Sequence, residues 1–86
     1  MKLWRISQEA NGGYDTYDSA VVAAATEEDA RRMYPSKNYP KANWWADEDR
    51  YDSQWATELE EVTVVLIGTA VEGTQAGVIV ASFNAG

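Results

Sequence analysis

The chain has 86 residues, ten of them aromatic, no cysteine or histidine, and a formal net charge of −7. It can therefore form neither a disulfide nor a Cys/His zinc site, and a domain this small must rely on aromatic packing or self-association for stability. The acidic excess argues against direct binding to nucleic acid or to an anionic membrane, and no apolar run approaches the roughly 20 residues that span a bilayer. The N-terminus lacks the apolar run of a signal peptide, so we expect a single cytoplasmic domain, residues 1–86.

Four stretches of the chain predict β-strands. Residues 3–8 and 17–25 flank the turn sequence Asn11-Gly12-Gly13, which predicts a hairpin. Residues 62–69 are rich in β-branched side chains and nearly continuously apolar, as is typical of a central strand. Residues 78–83 predict the last strand.

One helix is expected between the second and third strands. Thr26 is a suitable N-cap, the acids after it suit the positive end of the helix dipole, and Pro35 ends the helix after about nine residues. Residues 35–56 then form a long aromatic and acidic loop, inserted between the helix and the third strand and partly packed on the fold. The order β-β-α-long loop-β-β favours an α+β fold: a single small domain with a four-stranded, mostly antiparallel sheet and one helix packed on one face.

The negative charge is concentrated in the second half of the chain. Residues 1–46 carry six acids and six bases, whereas residues 47–86 carry eight acids and one base, Arg50, which accounts for the net −7. An acidic surface beside aromatic side chains is suited to docking on a basic groove, although such charges also keep small proteins soluble. The candidate partner-binding residues are Trp44, Trp45, Asp47, Glu48, Asp49, Asp52, Glu58, Glu60 and Glu61.

The three tryptophans of the loop formed by residues 35–56 have two possible roles. Trp44, Trp45 and Trp55 either contact a partner or a ring-bearing ligand, or they cover an undersized core. Core packing is the stronger interpretation for Trp55, which directly precedes the next structured segment. Adjacent side chains of an extended chain point in opposite directions, so we expect at least one of Trp44 and Trp45 to be exposed and to act as the anchor.

No pattern in the chain indicates catalysis, a metal or a cofactor. Histidine and cysteine are absent, no serine lies in a nucleophile-elbow pattern, and carboxylates in an exposed run lack the burial that tunes a general acid. Asp47, Asp49 and Glu58 match acidic positions of a calcium loop, but Tyr51 replaces a ligand and Asp52 replaces the required glycine. We therefore expect a non-enzymatic protein that needs no cofactor and no metal.

Two parts of the sequence resemble small uncharacterised phage and prophage proteins. One is residues 14–24 together with residues 27–31, and the other is residues 77–86. These parts flank the aromatic and acidic loop. No activity is attached to that family, so the resemblance implies an origin in a mobile element of a bacterial host and assigns no functional residue.

The sequence thus predicts a phage-type protein that binds and inhibits a bacterial defence or nucleic-acid-handling complex, as anti-CRISPR proteins do. Residues 47–61 would dock on a basic groove of a bacterial protein, with Trp44 or Trp45 as anchor. Two alternatives stay open. One is an oligomeric sponge that binds a small nucleotide signal through the aromatic loop, and the other is a phage structural or assembly accessory that forms a homo-oligomer through an open sheet edge.

Overall fold

Four antiparallel strands and one short helix make up the fold, in a computed structural model that describes residues 1–36 and 42–84. The elements are β1 (Lys2–Ser7), β2 (Thr16–Ala24), α1 (Glu27–Arg31), β3 (Thr63–Thr69) and β4 (Gly77–Asn84). The order across the sheet is β3-β1-β2-β4. The α+β class, the four-stranded antiparallel sheet and the single helix are confirmed. No helix among these residues is long and apolar enough to cross a membrane.

The third strand lies at an edge of the sheet, where the sequence predicts a central strand. β1 pairs with both β2 and β3, and β2 pairs with both β1 and β4, so these two strands hold the central positions. Val65, Leu66 and Ile67 of β3 are each about half exposed. The continuous apolar pattern of β3 therefore reflects apolar side chains at an uncovered edge, and it does not reflect burial on both faces.

The helix begins as its sequence predicts and ends earlier. The Thr26 hydroxyl accepts a hydrogen bond from the Asp29 N–H at 3.1 Å, which is the expected N-cap. α1 then spans only five residues and ends at Arg31. The chain leaves the helix at that point because Tyr34 and Pro35 turn into the protein, where both are buried.

One layer of chain covers one face of the sheet, which we call the inner face. This covering layer consists of α1 and residues 42–62, and it includes the short 3-10 turns Trp44–Ala46, Arg50–Asp52 and Leu59–Glu61. Residues 37–41 of the predicted 35–56 loop lie outside the described residues. The core between sheet and layer contains Trp4, Ile6, Ala20, Val22, Ala24, Ala30, Tyr34, Trp44, Trp55, Ala56 and Val62. The aromatic rings thus supply much of the apolar volume that a short chain otherwise lacks.

The turn between β1 and β2 fastens the covering layer to the sheet. The buried Gln8 amide donates to the carbonyls of Asn11 and Tyr17, each at 2.8 Å, and accepts from the Asn11 N–H at 2.7 Å. The Asn11 side chain in turn donates to the carbonyls of Ser53, at 2.8 Å, and Trp55, at 3.2 Å. The Asn11 side chain in the first hairpin therefore fixes the position of residues that follow it by 42 and 44 positions in the chain.

Candidate functional site

Most of the described acidic side chains lie in the covering layer, and the strands are nearly free of them. The four strands carry a single acid, Asp18. The described acidic side chains of the covering layer are Glu27, Glu28, Asp29, Asp47, Glu48, Asp49, Glu58, Glu60 and Glu61. The side chain of Asp52, also a candidate, lies outside the described part of the structure. The molecule therefore has one strongly acidic side.

The first acidic group follows the Trp44–Ala46 turn directly. Asp47, Glu48 and Asp49 are all exposed. The Asp47 carboxylate accepts a hydrogen bond from the Asp49 N–H at 2.8 Å, which shapes this turn. Within residues 1–36 and 42–84, the ion pairs are confined to α1 and its C-cap, so none neutralises this group.

The second acidic group lies at the turn that leads into β3, and its members differ in role. Glu58 and Glu60 are exposed. The Glu61 carboxylate accepts hydrogen bonds from the N–H and hydroxyl of Thr57, both at 2.8 Å, and from the Glu58 N–H at 3.0 Å. These bonds, above all those from Thr57, lower the pKa of Glu61. Glu61 is thus occupied with holding its own turn, which leaves Glu58 and Glu60 available to a partner.

Replacing Glu61 by glutamine is expected to lower the free energy of unfolding by about 1 kcal/mol at neutral pH, since the site is partly solvated. The pKa of Glu61 is lowered on folding, so its ionised form stabilises the protein above the unfolded-state pKa of about 4.3. That contribution disappears as the pH falls through the folded-state pKa. Urea denaturation at neutral and strongly acidic pH measures the difference, with Glu60→Gln as control. An equal loss at both pH values would contradict the assigned role.

A groove joins the second acidic group to the aromatic segment. Trp45, Arg50, Glu58, Leu59 and Glu60 line this depression of about 270 Å³, which we call the Trp45 groove. Two carboxylate side chains and an indole ring therefore border one space. Of these five residues, Trp45, Glu58 and Glu60 are sequence-predicted site residues.

Of the two candidate anchors, only Trp45 keeps accessible surface. Trp44 is 2% exposed, and its indole N–H donates to the Arg32 carbonyl at 2.9 Å. Trp45 is half-buried, and its ring lies edge-on to that of Trp44 at 5.6 Å and 89°. Trp55 is fully buried, in line with its predicted core role. Trp44 is therefore part of the core, and neither member of the Trp44–Trp45 pair is fully exposed.

Arg50 and Leu59 are the groove residues that sequence reasoning did not select. The Arg50 guanidinium stacks on the Tyr51 ring at 4.5 Å and donates to the Tyr51 hydroxyl at 2.9 Å and the Asp47 carbonyl at 3.2 Å. These contacts hold Arg50, the one base of residues 47–86, against its own turn. Residues of all three 3-10 turns line the groove, and no local sequence pattern predicts that these turns come together.

Among the residues that the structure describes, the carboxylates do not converge on a point, and no group of three or more acids is placed so that it could hold a metal ion. Comparison of the chain with protein-family models, with curated proteins and with solved structures found no match.

Proposed function

We propose that this chain is a non-enzymatic, phage-type protein that docks its acidic covering layer on a basic surface of a bacterial defence or nucleic-acid-handling complex and inhibits it, as anti-CRISPR proteins do. The observation that carries the proposal is the one-sided charge: the described acids outside the covering layer are Glu9, Asp15, Asp18 and Glu72. A surface of this kind competes with nucleic acid for a basic groove, because both present closely spaced negative charges.

The Trp45 groove supports a basic protein as the partner. An arginine or lysine side chain entering it would meet the Trp45 ring and the carboxylates of Glu58 and Glu60, two negative charges against the one positive charge of Arg50. A solvent-exposed cation–π contact contributes about 0.5–1 kcal/mol and an exposed ion pair about 0.2–1 kcal/mol. One such side chain is too little for stable binding, so the partner must present several bases to the whole acidic side.

The same geometry gives less support to a nucleotide sponge. A sponge needs aromatic faces for base stacking and cations for phosphate. Trp44 and Trp55 are buried. Trp45 lies beside Glu58 and Glu60, whose two negative charges outweigh the one positive charge of Arg50 and repel a phosphate. The acidic covering layer therefore suits a positively charged partner better than an anionic ligand.

The test is affinity capture of partners from a bacterial host that expresses its defence systems, followed by competition with nucleic acid. We expect the tagged protein to retain a complex with a basic nucleic-acid-binding surface and to inhibit its binding of DNA or RNA. Affinity should fall as salt concentration rises, because exposed charges more than about 10 Å apart are largely screened at 0.1 M salt. A complex indifferent to salt, or one that still binds nucleic acid normally, would rule out the docking model.

Charge reversal at the groove is expected to weaken this complex at least tenfold. Glu58→Lys with Glu60→Lys places two cations against the basic surface, which turns attraction into repulsion. The matched control is Glu9→Lys with Glu72→Lys, which changes the net charge equally at exposed positions outside the covering layer. Titration of both double variants against the captured complex measures the effect. Equal weakening by the two variants would show that only net charge matters, and the groove would then have no specific role.

A further inference from the structure

The outer edge of β4 lacks charge and proline, two of the features that normally protect a sheet edge. Natural edge strands are kept apart by charged residues, proline, β-bulges or short length. β4 runs for eight residues, and no charged residue or proline occurs between Gly73 and the C-terminus. Val80 is 58% exposed, and Ile79 and Phe83 are exposed to a lesser degree. Two register shifts interrupt the pairing of β4 with β2, one at Ile79 of β4 and one at Asp18 of β2, opposite Ser82 and Phe83. The extra residue of the second shift belongs to β2, so residues 80–84 of β4 itself contain no inserted residue.

The opposite edge of the sheet is protected by charge. β3 is preceded by Glu60 and Glu61 and followed closely by Glu72. A second copy that approached β3 in antiparallel orientation would bring these acids near its own. Like charges at close range oppose that pairing.

The outer face of the sheet, opposite the covering layer, is also unsuited to a second copy. Arg5 is exposed there, opposite Val21 and Val65, and Val80 continues the same row. Arg5 takes part in neither of the ion pairs of the described residues. Two copies packed face to face would bury two guanidinium groups without partners, which is strongly unfavourable.

We propose that β4 pairs with β4 of a second copy in antiparallel orientation, about a two-fold axis near Ser82. The Asn84 carbonyl accepts from the Asp15 N–H at 2.5 Å on the β2 side. Peptide groups alternate in direction along a strand, so those of Phe83 and Ala81 point to the free edge. Pairing across this axis aligns Ala81 of one copy with Phe83 of the other. The N–H and carbonyl groups of these two residues then form hydrogen bonds between the copies.

The size of this contact indicates a weak, reversible dimer. A two-fold axis at Ser82 sets Val80 of one copy opposite Asn84 of the other, so residues 80–84 of each β4 pair over a strip about 16 Å long, since a strand rises about 3.3 Å per residue. Such a strip is smaller than stable specific interfaces, which bury about 1,200–2,000 Å² in total. The two-fold axis is perpendicular to the sheet and leaves both covering layers on the same side. Salt should therefore strengthen the dimer by screening their repulsion, the opposite of its effect on partner binding.

Cysteine cross-linking of the full chain locates the contact, because the natural sequence has no cysteine. Facing residues of an antiparallel pair lie about 4.5–5.5 Å apart at Cα, within the about 4.4–6.8 Å that a disulfide spans. We expect Ser82→Cys to form a covalent dimer under mild oxidation. Val65→Cys on the β3 edge and Val71→Cys in the exposed β3–β4 loop are the controls and should remain monomeric. Equal cross-linking of all three variants, or preferential cross-linking through residue 65, would overturn the proposal.

Sedimentation equilibrium of the cysteine-free protein provides the independent measurement. The average mass should rise from the monomer value towards twice that value over about two decades of concentration in the micromolar range. Ser82→Lys, which sets two lysines against each other at the axis, should keep the protein monomeric, whereas Val71→Lys should not. A wild-type mass that stays at the monomer value throughout would refute the dimer.

Discussion

Replacing Gln8 by methionine is expected to lower the free energy of unfolding by about 3 kcal/mol, since each lost hydrogen bond to a buried group costs about 1 kcal/mol or more. Methionine keeps the length and apolar packing of the side chain. It removes the partners of three backbone groups: the N–H and carbonyl of Asn11 and the carbonyl of Tyr17. Gln8 is only 4% exposed, so water cannot readily replace these bonds. Urea denaturation measures the loss, and Gln75→Met, at an exposed position, is the control.

Replacing Gln8 by glutamate should lower the free energy of unfolding more than methionine does at neutral pH. The size of this loss should depend on pH. A carboxylate in place of the Gln8 amide would face the carbonyls of Asn11 and Tyr17 without a proton to donate. Its folded-state pKa should rise, so the stability of Gln8→Glu relative to wild type should be highest below the unfolded-state pKa of about 4.3 and fall as pH rises. A stability difference from wild type that does not change with pH would show that the Gln8 side chain is not enclosed as described.

Replacing Trp55 by alanine should cost about 3–5 kcal/mol, because a large buried side chain is lost and a cavity remains. Trp55 is fully buried at the centre of the core. Given that small domains are stable by only about 5–15 kcal/mol, Trp55→Ala should be largely unfolded well below the melting temperature of the wild type. Circular dichroism on heating measures the shift. An unchanged melting temperature would mean that the core does not depend on this ring.

Replacing Trp55 by phenylalanine should destabilise the protein much less than replacing it by alanine. The Trp55 indole N–H is buried and has no hydrogen-bond partner among the described residues, and an unpaired group of this kind costs about 1–3 kcal/mol. Trp55→Phe removes that cost and offsets part of the lost packing. Trp44→Phe is the matched control, because the Trp44 N–H bonds to the Arg32 carbonyl and its loss adds to the packing loss. We therefore expect Trp44→Phe to be the more destabilising, and the reverse order would contradict this account.

Local sequence signals identified the helix and the strands of this fold. They did not identify which strands are neighbours in the sheet. The Thr26 cap and the turn residues of the first hairpin act over a few positions, so helix start and hairpin could be predicted. The strand order could not be predicted, because it depends on which strand pairs with the second edge of β1. For the same reason β3 lies at an edge although its composition is typical of a central strand.

The candidate site shows the same division. Charge is a property of composition, and the sequence alone placed most acids in one half of the chain. The contact that forms the Trp45 groove and the hydrogen bonds that occupy Glu61 depend on tertiary packing. The choice between Trp44 and Trp45 depends on a 3-10 turn that sets their rings at 89°. Residue selection from sequence was therefore broader than the set that the structure leaves accessible.

The concentration of acids in the covering layer also gives the molecule an electric dipole directed across the sheet. In the field of a positively charged body, such a molecule rotates so that its negative side leads before any contact is made. Productive encounters then become more frequent than random collision allows, and their frequency depends on ionic strength, whereas the lifetime of the formed complex depends mainly on close contacts. The association rate constant would therefore measure the effect of the charge asymmetry, and the dissociation rate constant would measure the close contacts.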